Sequence, residues 1–130
     1  MTSFENIMTQ EQKELLLKDL CSRLPYGVKI SVNDKVETLQ GIDILDNVVE
    51  YDSFLSSDIE EVRPYLFPMS NMTEEQDKEF ALLQTSPGQE GFLYTWNCAN
   101  MMKWLIENNF DYNGLIPMGL AKDATNLNIY

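Results

Sequence analysis

Leu16, Leu17, Leu20, Cys21 and Leu24 recur at helical spacing, with Glu14, Lys18 and Ser22 on the opposite side, and this period predicts an amphipathic helix. Thr9-Gln10-Glu11-Gln12 sets its start. The Thr9 hydroxyl can accept from the Gln12 amide while the Gln12 side chain reaches back to the Thr9 amide. Pro25 has no N–H and ends the helix. Beyond Tyr26-Gly27 the period falls to two: Val28, Ile30 and Val32 alternate with Lys29, Ser31 and Asn33, as in a strand with one buried face.

Asn33-Asp34-Lys35 reads as a turn, and Val36 to Ile44 as a second strand in which Gly41 marks a bulge or bend. Asp46-Asn47 turns the chain again. Val48 to Leu55 is β-branched and aromatic enough for a third strand, and Ile59 to Phe67 makes a fourth run in which Pro64 implies an edge. Thr73-Glu74-Glu75-Gln76 repeats the capping pattern and opens a helix with Phe80 and Leu83 as its apolar contacts. Ser86-Pro87-Gly88 followed by Gly91 is a loop. From Phe92 to Asn109, Leu93, Trp96, Cys98, Met101, Met102, Leu105 and Ile106 occupy most of a helix circumference, which predicts a long, central helix. The polar stretch from Lys122 to Tyr130 reads as loosely held. The expected fold is one α+β domain spanning 1–130: an N-terminal helix, a small bent antiparallel four-stranded or barrel-like sheet, then two helices.

Composition narrows the chemistry. The 130 residues are 44% hydrophobic and 23% charged, ordinary for one globular domain. There is no histidine, which removes Ser-His-Asp and Cys-His catalysis and the usual imidazole metal ligands together. The six glycines form no phosphate-cradling motif. Cys21 and Cys98 belong to no C-x-x-C pair and read as two buried thiols in a reducing compartment. No catalytic, cofactor or metal residue is predicted. Met1-Thr2-Ser3-Phe4-Glu5-Asn6 lacks the basic and apolar regions of a signal peptide, and no run approaches the ~20 apolar residues of a spanning helix. A cytoplasmic protein is expected.

The net charge of −12, from 21 acidic and 9 basic residues, opposes direct binding to nucleic acid or to anionic membranes and favours a protein partner. The charge is uneven. Between Lys35 and Arg63 there is no basic residue, while Glu37, Asp43, Asp46, Glu50, Asp52, Asp58, Glu60 and Glu61 all occur. Two readings fit: a negative sheet face that docks on a basic partner, imitating a phosphate track, or the ordinary solvent face of a sheet. Phe110-Asp111-Tyr112-Asn113-Gly114 is a second candidate contact, too mixed in polarity for pure core. The candidate partner-binding residues are therefore Glu50, Asp52, Asp58, Glu60, Glu61, Phe110, Asp111 and Tyr112. The competing reading is a small-molecule pocket between the last helix and the sheet, lined by Tyr26, Tyr65, Trp96 and Tyr112.

Three segments carry a resemblance: Lys18-Asp19-Leu20-Cys21-Ser22-Arg23-Leu24-Pro25-Tyr26-Gly27-Val28, Arg63-Pro64-Tyr65-Leu66-Phe67-Pro68-Met69-Ser70-Asn71-Met72-Thr73-Glu74-Glu75 and Asn109-Phe110-Asp111-Tyr112-Asn113-Gly114-Leu115-Ile116. Together they resemble a family of small uncharacterised proteins carried by anaerobic gut bacteria and by their phages and mobile elements. The resemblance implies a shared fold and a phage-associated setting, and brings no activity, cofactor or catalytic residue with it. Many members of that family carry His-His-Phe where this chain has Asn108-Asn109-Phe110.

Overall fold

In the computed structural model, residues 8–52, 55–85 and 92–130 are described, with 84–85 and 92–97 as backbone alone. Helix α1 (Gln10–Arg23) begins on the expected capping box: Gln12 N–H donates to Thr9 Oγ1 at 3.1 Å and Thr9 N–H to Gln12 Oε1 at 3.0 Å. A 3₁₀ turn at Leu24–Tyr26 carries Pro25, and Gly27, left-handed at φ +70°, swings the chain into β1 (Lys29–Val32). Asn33 and Asp34 both take positive φ, the geometry of a two-residue hairpin turn, and pair β1 antiparallel with β2 (Lys35–Asp43).

The register of β2 on β3 (Val48–Tyr51) shifts between Leu39 and Gly41, so the bulge falls where the strand glycine predicted it. Strands β4 (Ser56–Asp58), β5 (Val62–Leu66) and β6 (Lys122–Asp123) complete a sheet ordered β4-β3-β2-β1-β5-β6. All pairings are antiparallel except β5 with β6, which is parallel. Helices α2 (Glu74–Thr85) and α3 (Phe92–Glu107) lie between β5 and β6 in the chain.

The class is α+β, but the expected four-stranded antiparallel or barrel-like sheet is replaced by six mixed strands. The two extra strands are three residues and two residues long, and no hydrophobic period can announce them. The third strand stops at Tyr51 rather than Leu55, and the expected fourth run divides into a 3₁₀ turn at Ile59–Glu61 followed by β5. Pro64 is also not on an edge: β5 lies between β1 and β6. The proline is tolerated because β6 pairs only with Tyr65 and Leu66, leaving the chain beside Pro64 without a ladder on that side.

The long, central last helix is overturned as well. At 16 residues α3 is little longer than the 14-residue α1, and none of its described side chains joins the main core. That core is Leu16, Leu17 and Leu20 of α1 against the inward residues of β1, β2, β3 and β5, closed by Leu115, Leu120 and Ala121. Each fully buried leucine contributes about 1.5–3 kcal/mol by leaving water. Among the described residues of α3 only Leu105 and none of α2 is buried. The predicted loop around Pro87 and the side chains of Leu93 and Trp96 lie outside the described residues. Cys21 is exposed and Cys98 half-buried, both free, so the expected buried thiols are corrected too.

The stretch after β6, expected to be loose, is pinned. Tyr130 Oη accepts from Lys29 N–H at 2.9 Å and donates to the Tyr65 carbonyl at 2.6 Å. This hydroxyl bridges β1 and β5 just beyond their last ladder pair, Ile30 opposite Pro64. Burial of the hydroxyl raises its pKa well above the ordinary tyrosine range. Tyr130→Phe leaves a backbone donor and acceptor without partners, and a loss of about 1–3 kcal/mol is expected by urea denaturation, with little change in slope.

Candidate functional site

The sequence-predicted contact residues separate into two places. The first is the outer sheet. Glu50 stands on β3 opposite Gly41, and a Cβ on that glycine would come 3.2 Å from Glu50 Oε1, so the glutamate lies back over β2 in the space the glycine leaves. Asp52 follows β3 and donates its N–H to the Thr38 carbonyl at 3.1 Å. Its side chain meets that of Glu37 on β2. The hydrogen bond between the two carboxyls holds Glu37 above the usual carboxylate range and Asp52 below it, with burial of Glu37 and the nearby Lys29 charge adding in the same senses. Among the described residues Glu37, Glu50 and Asp52 make no ion pair.

Two of the remaining acidic candidates are occupied. Asp58 Oδ1 caps the 3₁₀ turn through Glu60 N–H at 3.0 Å, and Glu60 pairs with Lys13 of α1 at 2.6 Å, the contact that raises the lysine pKa. Glu61 is exposed. A stretch of sequence without basic residues is therefore partly neutralised in space by Lys13 from α1, and Lys29 and Lys35 lie close enough to exert a lowering pull on the pKa of Asp52 and of Glu37 respectively.

The second place is the segment after α3. Helix α3 stops in a Schellman pattern: Phe110 N–H bonds to Leu105 O at 3.0 Å and Asn109 N–H to Ile106 O at 3.1 Å, with Asn109 left-handed at φ +60°. Phe67 and Phe110 then form a parallel bridge that ties the segment to the end of β5. Phe110 is 1% exposed and stacks on Trp104 at 5.6 Å, while Phe80 also packs against Trp104, at 5.4 Å. Asp111 is also buried, its two carboxylate oxygens accepting from Leu115 N–H at 2.7 Å and Ile116 N–H at 2.9 Å. Neither is a surface contact. Tyr112 is half-buried, its hydroxyl 3.1 Å from Ser22 Oγ and its ring 5.0 Å from the Arg23 guanidinium.

That guanidinium is the feature sequence reasoning missed. Arg23 and Asp19 are both fully buried and paired at 2.6 Å through Nε, with Nη2 reaching Asp19 Oδ2 at 3.3 Å and the Phe110 carbonyl at 2.6 Å. Asn113 Nδ2 adds a bond to Asp19 Oδ2 at 2.9 Å. The signal was present: Asp19 lies three residues after Leu16 and Arg23 three after Leu20, on the apolar stripe rather than opposite it. The proposed pocket residues are not gathered in one place. Tyr26 is exposed beyond α1, Tyr65 is buried under Tyr130, Tyr112 lies on Arg23, and the Trp96 side chain is outside the described residues.

Among the described residues no group of three or more carboxylates, thiols or imidazoles could hold a metal ion, and no helix is long and apolar enough to cross a membrane. No protein-family model, curated protein or solved structure matches the chain.

Proposed function

We propose that this is a non-enzymatic protein-binding protein that presents Glu37, Glu50 and Asp52 on the β2–β3 hairpin to a basic segment of a partner. The observation that carries this reading is the Glu37–Asp52 contact. Two carboxyls held together at the surface repel when both are ionised, and Thr38, Lys29 and Lys35 beside them offset this only in part, whereas Asp58, Glu60, Asp111 and Asp19 are each taken up by a cap, an ion pair or backbone donors. A lysine or arginine from a partner relieves the repulsion. The phage or mobile-element setting belongs to the same proposal and is supported by the resemblance of the three segments.

The test is partner capture by the wild-type chain against Glu50→Lys/Asp52→Lys, with Glu60 left intact because it anchors α1 through Lys13. Reversal of two charges is expected to weaken binding by about tenfold or more, with the greater effect on association rate at low salt. Equal recovery by both proteins would contradict the acidic-hairpin reading.

A pH dependence follows from the raised Glu37 pKa. The partner's cation competes with the proton that Glu37 retains, so affinity should rise as pH climbs through the raised value and level off above it. Glu37→Gln removes the titrating group and should flatten this profile while leaving binding at neutral pH only modestly reduced. Binding strengthened by acid would have the wrong sign.

A further inference from the structure

Two buried polar atoms have no protein partner among the described residues: Arg23 Nη1 and Asn109 Oδ1. Arg23 Nη2 reaches the carbonyl of Phe110, the residue after Asn109, which brings the guanidinium beside the stop of α3. Every other polar hydrogen of the guanidinium is used. Nε serves Asp19 Oδ1, and Nη2 serves Asp19 Oδ2 and Phe110 O. What is left is a donor without an acceptor and an acceptor without a donor, at the junction of the end of α1 with the stop of α3. Buried groups of this kind nearly always find a partner in a native protein, from water where not from protein.

Charge selects what satisfies them. The guanidinium is already neutralised by Asp19, so an anion brought to Nη1 would face that carboxylate inside a chain of net charge −12. A cation would face N–H donors. A neutral group that accepts on one side and donates on the other matches both atoms. Size then selects the smallest such molecule, since Arg23, Phe110 and Asn109 are all buried. Internal waters typically make about three hydrogen bonds to groups left over by the protein.

We propose that a single internal water molecule accepts from Arg23 Nη1 and donates to Asn109 Oδ1, joining α1 to the helix stop as a fixed component of the fold. A crystal structure of the full chain, at a resolution that shows ordered water, should place one peak within hydrogen-bonding distance of both atoms. An empty site, or density for an ion or a larger molecule, overturns the proposal. In solution, oxygen-17 relaxation dispersion counts long-lived internal waters. Asp19→Leu/Arg23→Met, which removes the donor, should lose one relative to wild type. Asn109→Gly, which removes the acceptor at a backbone conformation that suits glycine, should lose it or shorten its residence. Glu50→Lys/Asp52→Lys, on the β2–β3 hairpin, should keep the wild-type count. Equal counts and residence times in wild type and Asn109→Gly overturn the assignment even if the paired variant does not fold.

Discussion

Asp19→Ala should destabilise the protein by about 3–5 kcal/mol, read as a fall in the urea midpoint, because it leaves the Arg23 charge buried and uncompensated. Both side chains of the pair are fully buried, so no solvent is at hand to screen the orphaned guanidinium. Against a total stability of about 5–15 kcal/mol for a domain, the loss removes much of the fold's margin. Asp19→Leu/Arg23→Met should recover most of it, since a buried ion pair exchanged for apolar groups of similar volume is often neutral or better. The Phe110 carbonyl, which loses its Nη2 donor, limits the recovery. A single mutant as stable as wild type would show that the pair is open to water.

Phe110→Ala is expected to cost about 3–5 kcal/mol, the range for a fully buried aromatic side chain, in the same denaturation experiment. The ring sits between Phe67 and Trp104 and links α3 to the end of β5. Were Phe110 a surface anchor for a partner, the change would lie within about 0.5 kcal/mol and only binding would suffer. Trp104 gives a second readout, as its stacking partner is removed and its fluorescence should shift toward that of a more hydrated indole.

What the chain announces in advance and what it conceals divide by range. Both capping boxes, Thr9 with Gln12 and Thr73 with Gln76, form as read, because each is complete within four residues. The Asn33-Asp34 turn and the Gly41 bulge are local in the same sense. Strand β6 is two residues long and depends on a partner more than fifty positions earlier, so nothing in Lys122-Asp123 marks it. The placement of α3 was misread because an apolar circumference suggests burial, whereas the core was filled by α1 together with Leu115, Leu120 and Ala121. At the candidate site the acidic run was legible as composition. Its division was not: Lys13 neutralises Glu60 from a helix nearly fifty residues away, and the Glu37–Asp52 contact exists only once β2 and β3 pair.

The most direct test is a titration of the isotopically labelled protein with a lysine-rich peptide, followed by amide chemical shifts. If the β2–β3 hairpin is the docking surface, perturbations should concentrate around Glu37, Glu50 and Asp52, saturate, weaken as salt is added, and largely vanish in Glu50→Lys/Asp52→Lys. Shifts centred instead on the acidic first turn of α2, at Glu74, Glu75 and Asp77, or shifts untouched by the charge reversal, would contradict it.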